Sequence, residues 1–338
     1  MTHELKRIIE EAIKAKSVTK KAVLASVVDL DGSSYRRPGV RMLILEDGHM
    51  IGAVSGGCVE NEVLLQAQSV FETGVSKMMT YDGRYRLGCE GVLYILLEQV
   101  NLSKQFKTYF FQYLNERKSF NVVSHYKKEQ GVFKGLGTTV QLGNHVYAIS
   151  DNMEQPNGML VFRQHMPPCF KLVIIGAEHD AVQLCTYAAL TGWEVTIVGG
   201  IKDIKSIKNF PGASTYVSIL PEQLDVSLID NETAVVLMTH NFAYDLRYLV
   251  ALRHSTPNYI GLLGPTRRRD DLLAQFIEYC PEVSHNFLEA IHGPAGLDIG
   301  SETPQEIAIA IISEILAVTR TRSVIPLSKK SGAIHAKD

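Results

Sequence analysis

Residues Lys171 to Asp180 read KLVIIGAEHD, a buried-type strand running into a glycine turn and then into a helix. That unit opens a nucleotide-binding α/β fold, yet here it stands halfway along the chain. A dinucleotide fingerprint G-x-G-x-x-G needs its second glycine so that backbone can approach a pyrophosphate. This turn has Gly176, then Glu178 in the second place and Ala181 in the third. A carboxylate at that point repels phosphate. The strand from Glu194 to Val198 should end in an acid that holds ribose hydroxyls; Gly199 and Gly200 follow it instead, and the first acid, Asp203, comes several residues late. Both departures argue against NAD(P) binding.

Downstream, strand and helix patterns alternate. Strands are expected at Leu172–Ile175, Glu194–Val198, Ser214–Ser218, Ala234–Met238 and Tyr259–Leu263. Helices are expected at Asp180–Thr191, Ala243–His254, Arg267–Tyr279 and Pro304–Thr319. Such alternation predicts a doubly wound parallel sheet covered on both faces, a Rossmann-like α/β domain. Upstream, Arg163 to Phe170 (RQHMPPCF) reads as a linker, because Pro167 and Pro168 continue neither helix nor central strand. The half before it begins with an amphipathic helix. Strands follow at Ala22–Val28, Arg41–Leu45, Met50–Val54, Lys77–Tyr81 and Val92–Glu98, with helices at Val59–Phe71 and about Ser103–Glu116. Short strands fill Asn121 to Phe162. The expected organisation is an α+β domain over 1–162, a linker over 163–170, the Rossmann-like domain over 171–322 and a polar tail over 323–338.

A chain of 338 residues suffices for two domains with separate cores. With 46% hydrophobic and 21% charged residues it has globular composition, and no apolar run approaches the roughly 20 residues of a membrane span. A net charge of −2 gives no general attraction to nucleic acid or anionic lipid. Five cysteines without a C-x-x-C argue against a disulfide framework and a structural zinc. The charged N-terminal pattern lacks a signal peptide's apolar core. Together these features predict a reduced, cytoplasmic protein.

Two clusters in the first half carry chemistry. Gly32 to Arg41 (GSSYRRPGVR) sets Arg36, Arg37 and Arg41 around a glycine-bounded turn, just after the hydroxyls of Ser33 and Ser34. Arginine forks match phosphate and carboxylate, so the turn reads either as an anion cradle or as a solvated loop. In Ser55-Gly56-Gly57-Cys58-Val59-Glu60 a strand ends and a helix begins at about Cys58. Free backbone N–H groups there favour an anion and lower a thiol's pKa. Cys58 therefore reads as a reactive thiolate or soft metal ligand, or else as a small buried hydrophobe. Cys89, in the glycine loop Gly88 to Gly91, is a second thiol of the same kind, whereas Cys169, Cys185 and Cys280 read as structural. In the second half three loops follow strands: Gly176 to His179, Thr239 to Asn241, and Gly264 to Arg269. His179 and His240 read as acid–base groups, metal ligands or neutral hydrogen-bonding side chains. Three arginines at a helix start, Arg267 to Arg269, oppose the helix dipole and call for an anion or an acidic partner.

In this order the motifs resemble the XdhC/CoxI family, accessory factors for xanthine dehydrogenase and related molybdenum hydroxylases. The resemblance rests on G-S-x-x-R-x-P-G-x-R-M (Gly32 to Met42), S-G-G-C-V-E (Ser55 to Glu60), G-C-x-G (Gly88 to Gly91) and G-A-x-H (Gly176 to His179). It continues in M-T-H (Met238 to His240), G-L-L-G-x-x-R-R (Gly261 to Arg268) and P-x-G-L-D-I-G (Pro294 to Gly300), then T-P-x-E-I-A. Membership implies binding of the molybdenum cofactor, promotion of its terminal sulfuration, protection of the sulfurated form and delivery to an apo-hydroxylase. The partners so implied are a hydroxylase of the xanthine dehydrogenase type and a cysteine desulfurase, with the chain as a homodimer. The cofactor's phosphate suits the arginines and its metal–sulfur centre suits a thiolate. Cofactor contacts are thus expected at Ser34, Arg36, Arg37, Arg41, Ser55, Gly56, Gly57, Cys58, Glu60 and Cys89, with Cys58 and Cys89 as candidate molybdenum contacts. In the second domain they are expected at Gly176, His179, His240, Arg267 and Arg268. Two other readings stand beside this non-enzymatic one: an NAD(P)-dependent oxidoreductase, and an interaction scaffold with a degenerate Rossmann domain.

Overall fold

A computed structural model describes residues 1–32, 37–57, 59–85, 91–151 and 153–330. The chain divides into two compact units, Met1–Pro168 and Cys169–Asp338.

In the first unit, helix α1 (Thr2–Ser17) leads into β1 (Ala22–Asp31), β2 (Arg41–Leu45) and β3 (Met50–Gly52). Helix α2 (Glu60–Thr73) follows, then β4 (Lys77–Asp82), β5 (Val92–Gln99) and α3 (Lys104–Asn115). Strands β6 (Phe120–Tyr126), β7 (Gly137–Leu142), β8 (His145–Ala148) and β9 (Leu160–Met166) complete the unit. Among the described residues these strands form two antiparallel sheets, β3-β2-β1-β5-β4 and β8-β7-β6-β9. Because strand side chains alternate, the first sheet has two dry faces. Val23, Ala25, Val27, Met42 and Ile44 pack on Val63, Ala67 and Val70 of α2. Leu24, Leu43 and Leu45 face the other way, into a core shared with Leu5, Ile8 and Ile9 of α1, Phe106 and Phe110 of α3, and Val122 and Val140 of the second sheet. Strand β9 pairs with β6 as far as Phe120↔Met166, so Arg163 to Met166 are strand and only the proline pair separates them from the second unit. The expected linker is that much shorter: its alternating side chains complete a sheet edge, a role that RQHM conceals.

The second unit runs β10 (Lys171–Ile175), α4 (His179–Leu190), β11 (Glu194–Gly199), β12 (Ala213–Ser218) and β13 (Thr233–Leu237). It continues through α5 (Phe242–Leu252), β14 (Tyr259–Leu262), α6 (Thr266–Tyr279), a short α7 (His285–Glu289), β15 (Ile291–His292) and α8 (Pro304–Thr319). All neighbours in the order β12-β11-β10-β13-β14-β15 are parallel. The predicted doubly wound Rossmann-like sheet is present. One face is covered by α4 and α8, the other by α5 and α6. The T-P-x-E run is a reciprocal cap on α8: Glu306 N donates to Thr303 Oγ1 and Thr303 N donates to Glu306 Oε2. The pair α7 and β15 is too short to show a periodic pattern in sequence. Strand order reverses between β10 and β13, which opens a crevice at their C-terminal ends. Among the described residues no helix is long and apolar enough to cross a membrane.

Candidate functional site

The first candidate is the joint between β3 and α2. Ser55 N and Ser55 Oγ both donate to the Glu60 carboxylate, at 2.8 and 2.6 Å. Ser55 Oγ in turn accepts from Gly57 N at 3.1 Å and Val59 N at 3.2 Å. Burial pushes the Glu60 carboxyl up, but these hydrogen bonds outweigh it and hold its pKa below the ordinary range. Ser55 and Glu60, expected as cofactor contacts, are therefore spent on shaping the loop. Helix α2 starts at Glu60 itself, two residues later than the sequence pattern placed it. Gly56 and Gly57 are exposed, and nothing lies within 4 Å of where a side chain would begin on either. Gly57 has φ +122, which favours glycine. The two glycines thus leave open space above the joint. Cys58, Cys89, Ser34 and Arg36 lie outside the described residues.

The base of the arginine turn is tightly held. Tyr126 OH donates to Asp29 at 2.5 Å, Tyr94 OH to Asp31 at 2.8 Å, and Lys128 Nζ pairs with Asp31 at 2.6 Å and Asp29 at 3.2 Å. Sequence reading passed over this cluster. Its signal was the pair of acids at the end of β1, but their partners lie 63 to 97 residues away, on β5, on β6 and just beyond it. Arg37 is exposed at the C-terminal foot of the turn.

Arg41, expected as a cofactor contact on a turn, is buried. It shares its face with Leu43 and points into the core between the sheets, where it is only 7% exposed. Its Nη1 donates to Gly39 O at 2.9 Å and Gln164 Oε1 at 2.7 Å. Two further nitrogens, Nε and Nη2, are buried with no hydrogen-bond partner among the described residues. Glu98 lies in the same interior, fully buried, accepting Thr138 N at 2.9 Å through one oxygen. Burial pushes the Glu98 carboxyl up to about 7 and brings Arg41 down to about 10, each against the attraction of the other. Arg41 and Leu43 share a face of β2, and the covering by α1 and the second sheet makes that face an interior.

The second candidate is the switch-point crevice. Gly176, at φ +133, lies so close to β13 that a side-chain carbon would meet Met238 O at 2.3 Å. Glu178 is the N-cap of α4 without a side-chain cap bond. Its carboxylate instead pairs with Lys205 Nζ at 3.0 Å, and the same ammonium donates to Ala177 O. His240, in the left-handed region at φ +55, is exposed and stands 3.7 Å from Asp180. His179 is exposed and has no hydrogen-bond or ion-pair partner among the described residues. The arginines at the start of α6 divide. Arg268 pairs with the buried Asp245 at 2.7 Å, and Asp245 also accepts from Thr239 Oγ1 at 2.6 Å. Arg269 binds Asp270 and Gly293 O. Arg267 is exposed with no such partner among the described residues. The helix-dipole problem is thus met largely by internal acids, and Arg268 is engaged within the protein.

Two features here were missed in sequence. Asp203 folds back so that its Oδ2 accepts Gly200 N at 2.6 Å and lies 3.1 Å from where a Gly199 side chain would begin. The acid that comes late in sequence thus lies beside the end of β11 in space. The segment after β15 is pinned by Glu314 of α8, which accepts Tyr259 OH at 2.6 Å and Gly296 N at 2.7 Å and meets His292 at 3.5 Å. The remaining described cysteines are buried; burial pushes the Cys185 thiol up to about 11, which keeps it protonated. Among the described residues no group of three or more His, Cys, Asp or Glu is placed to hold a metal ion.

The family described as "XdhC and CoxI family" matches residues 17–82, and "XdhC Rossmann domain" matches residues 172–315. The chain belongs to the XdhC and CoxI family. A probable xanthine dehydrogenase subunit from Bacillus subtilis (strain 168) is 28% identical over 330 residues, covering 90% of this chain and 96% of that protein. The molybdenum cofactor insertion chaperone PaoD of Escherichia coli (strain K12) is 26% identical over 323 residues, 94% of this chain and 90% of that one. A crystal structure of a xanthine dehydrogenase from Bacillus halodurans superposes with a TM-score of 0.76 at 27% identity, covering 95% of this chain and 98% of that chain. Both XdhC-type units of this member, the glycine joint included, thus fall within full-length likenesses.

Proposed function

We propose that this protein is a non-catalytic carrier of the molybdenum cofactor that supports its sulfuration and delivers it to an apo-hydroxylase of the xanthine dehydrogenase type. The supporting observation is the likeness to an insertion chaperone along almost the whole of both chains. The joint after β3 adds support, because exposed Gly56 and Gly57 leave room beside them for a bulky group. In this reading Gly56, Gly57, Arg37 and the neighbouring Ser34 and Arg36 receive the pterin phosphate, while Cys58 and Cys89 meet the soft metal–sulfur centre. Ser55 and Glu60 hold the joint in shape, and Arg41 supports it from the interior. The second unit is a binding platform and not an NAD(P)-dependent oxidoreductase. A cysteine desulfurase supplies the sulfur, and the chain acts as a homodimer in the cytoplasm.

The test is to purify the full chain in the presence of a molybdenum-cofactor source and assay the product for molybdenum and pterin. The expected result is both in constant ratio, reduced about tenfold or more by Arg37→Ala and partly restored by Arg37→Lys. Absence of pterin from a well-folded parent overturns the proposal.

A further inference from the structure

We propose that the groove over α5 in the second unit docks an amphipathic helix of a partner protein, one whose apolar stripe is flanked by acidic residues. The proposal goes beyond the carrier reading and stands whether or not the chain holds a pterin. Parallel strands need a crossover, and the crossover is usually a helix. On this face of the sheet α5 joins β13 to β14, and α6 lies between β14 and β15. The crossover from β12 to β13 carries only two one-turn segments, Pro221–Gln223 and Val226–Leu228. Ile219, Leu224 and Val226 of that stretch pack on the same core as α5 and α6. A full helix there would flank α5. Two single turns leave its side open.

The opening is a groove of about 690 Å³. Phe242, Leu246 and Val250 of α5, Leu224 before it and Tyr279 at the end of α6 give it an apolar lining. Ala243, Arg247, Val250 and Ala251 also line it, at the i, i+4, i+7, i+8 spacing of one helix face. The alanines there let a second backbone come close. Tyr279 is 70% exposed and Glu222 60% exposed, so the groove is open to solvent. A small molecule is held by burying most of its surface. A groove as open as this one suits a helix laid into it.

Charge decides the character of the occupant. Among the described residues the charged side chains lining the groove are Glu222, Arg247 and Arg253. Arg247 grips Glu222 through Nε and Nη2, each at 2.7 Å, and the two charges cancel. Arg253 donates to Val250 O at 2.8 Å and meets no acid among the described residues. One positive charge is left over, so the complementary helix carries acids beside its apolar stripe. A second copy of this chain is the poorer occupant, because a two-fold pairing of the grooves sets like charge against like charge.

The test is selection of helix-length peptides displayed on phage against the immobilised full chain, followed by fluorescence anisotropy with the selected peptides. Their sequences should carry apolar residues at i, i+3, i+4 and i+7 with aspartate or glutamate alongside. Ala243→Glu puts an acid in the first turn of α5, where the helix dipole favours it, so the fold is kept while the groove gains bulk and negative charge. It should weaken the selected peptides by about tenfold. Arg253→Glu should weaken them by about fivefold, and by less at high salt. Counterpart peptides with lysine in place of each acid should bind Arg253→Glu more tightly than they bind the parent. That reversal separates contact at the groove from damage to the fold, which Trp193 fluorescence in urea checks directly. If Ala243→Glu releases none of the selected peptides, or if the lysine peptides show no reversal, the proposal is overturned. Sedimentation velocity of the full chain covers the remaining occupant: self-association abolished by Ala243→Glu would place a second copy in the groove and overturn the proposal as well.

Discussion

Replacing Glu98 with glutamine should stabilise the first unit, and only on the alkaline side. Glu98 is completely buried, and burial carries its carboxyl from an ordinary 4.5 up to about 7 against the smaller pulls of Thr138 and Arg41. A folded-state pKa raised above the unfolded one gives stability that is complete below about 4.5 and lost as pH rises through 7. At 1.36 kcal/mol per pH unit of displacement, ionising Glu98 inside the fold costs about 3 kcal/mol. Glutamine keeps the oxygen that accepts from Thr138 N and never ionises. The charged groups acting on the pair, Arg41 with Glu98 and Glu4 with Arg41, are otherwise unchanged. Urea denaturation followed by far-ultraviolet circular dichroism from pH 4.5 to 8 is the assay. The sole tryptophan, Trp193, lies in the second unit, so its fluorescence reports that unit separately. Parent and variant should differ by a constant near pH 4.5, and the variant should gain about 3 kcal/mol on approaching pH 8. Parallel stability curves across this range would refute a buried, ionising Glu98.

Three further outcomes follow from the same geometry. Arg268→Ala strips the buried Asp245 of its cation and should cost about 3 kcal/mol in the second unit, read by Trp193 fluorescence in urea; Arg268→Lys should recover part of the loss. Gly176→Ala drives a methyl to within 2.3 Å of Met238 O at a φ of +133, so it should destabilise the second unit by about 2 kcal/mol or more on the same assay. Glu60→Gln should cost about 1–2 kcal/mol at neutral pH. Because the Glu60 carboxyl is held below its usual value, that deficit should close as pH falls through the folded pKa, and unchanged stability at pH 7 would refute the capping role.

The local signals in this chain determined its elements. Strand Arg41–Leu45 falls where hydrophobic patterning put it, and α3 (Lys104–Asn115) falls within the expected Ser103–Glu116. The T-P-x-E run is a cap on α8, and strand–helix alternation after Lys171 produces the parallel sheet. Each of these depends on neighbours within a few residues. The site depended on distant ones. Period-2 alternation showed that Arg41 and Leu43 share a face, but only the docking of α1 and the second sheet made that face dry. Glu178 read as a phosphate-repelling charge until Lys205, 27 residues on, was brought to 3.0 Å from it. Asp203 was late by count, yet the turn at Gly200 carries its carboxylate back to Gly199. Charge and hydrogen bonding act through a few ångströms of space, and the chain's spacing determines those distances only within a strand, a helical turn or a tight loop.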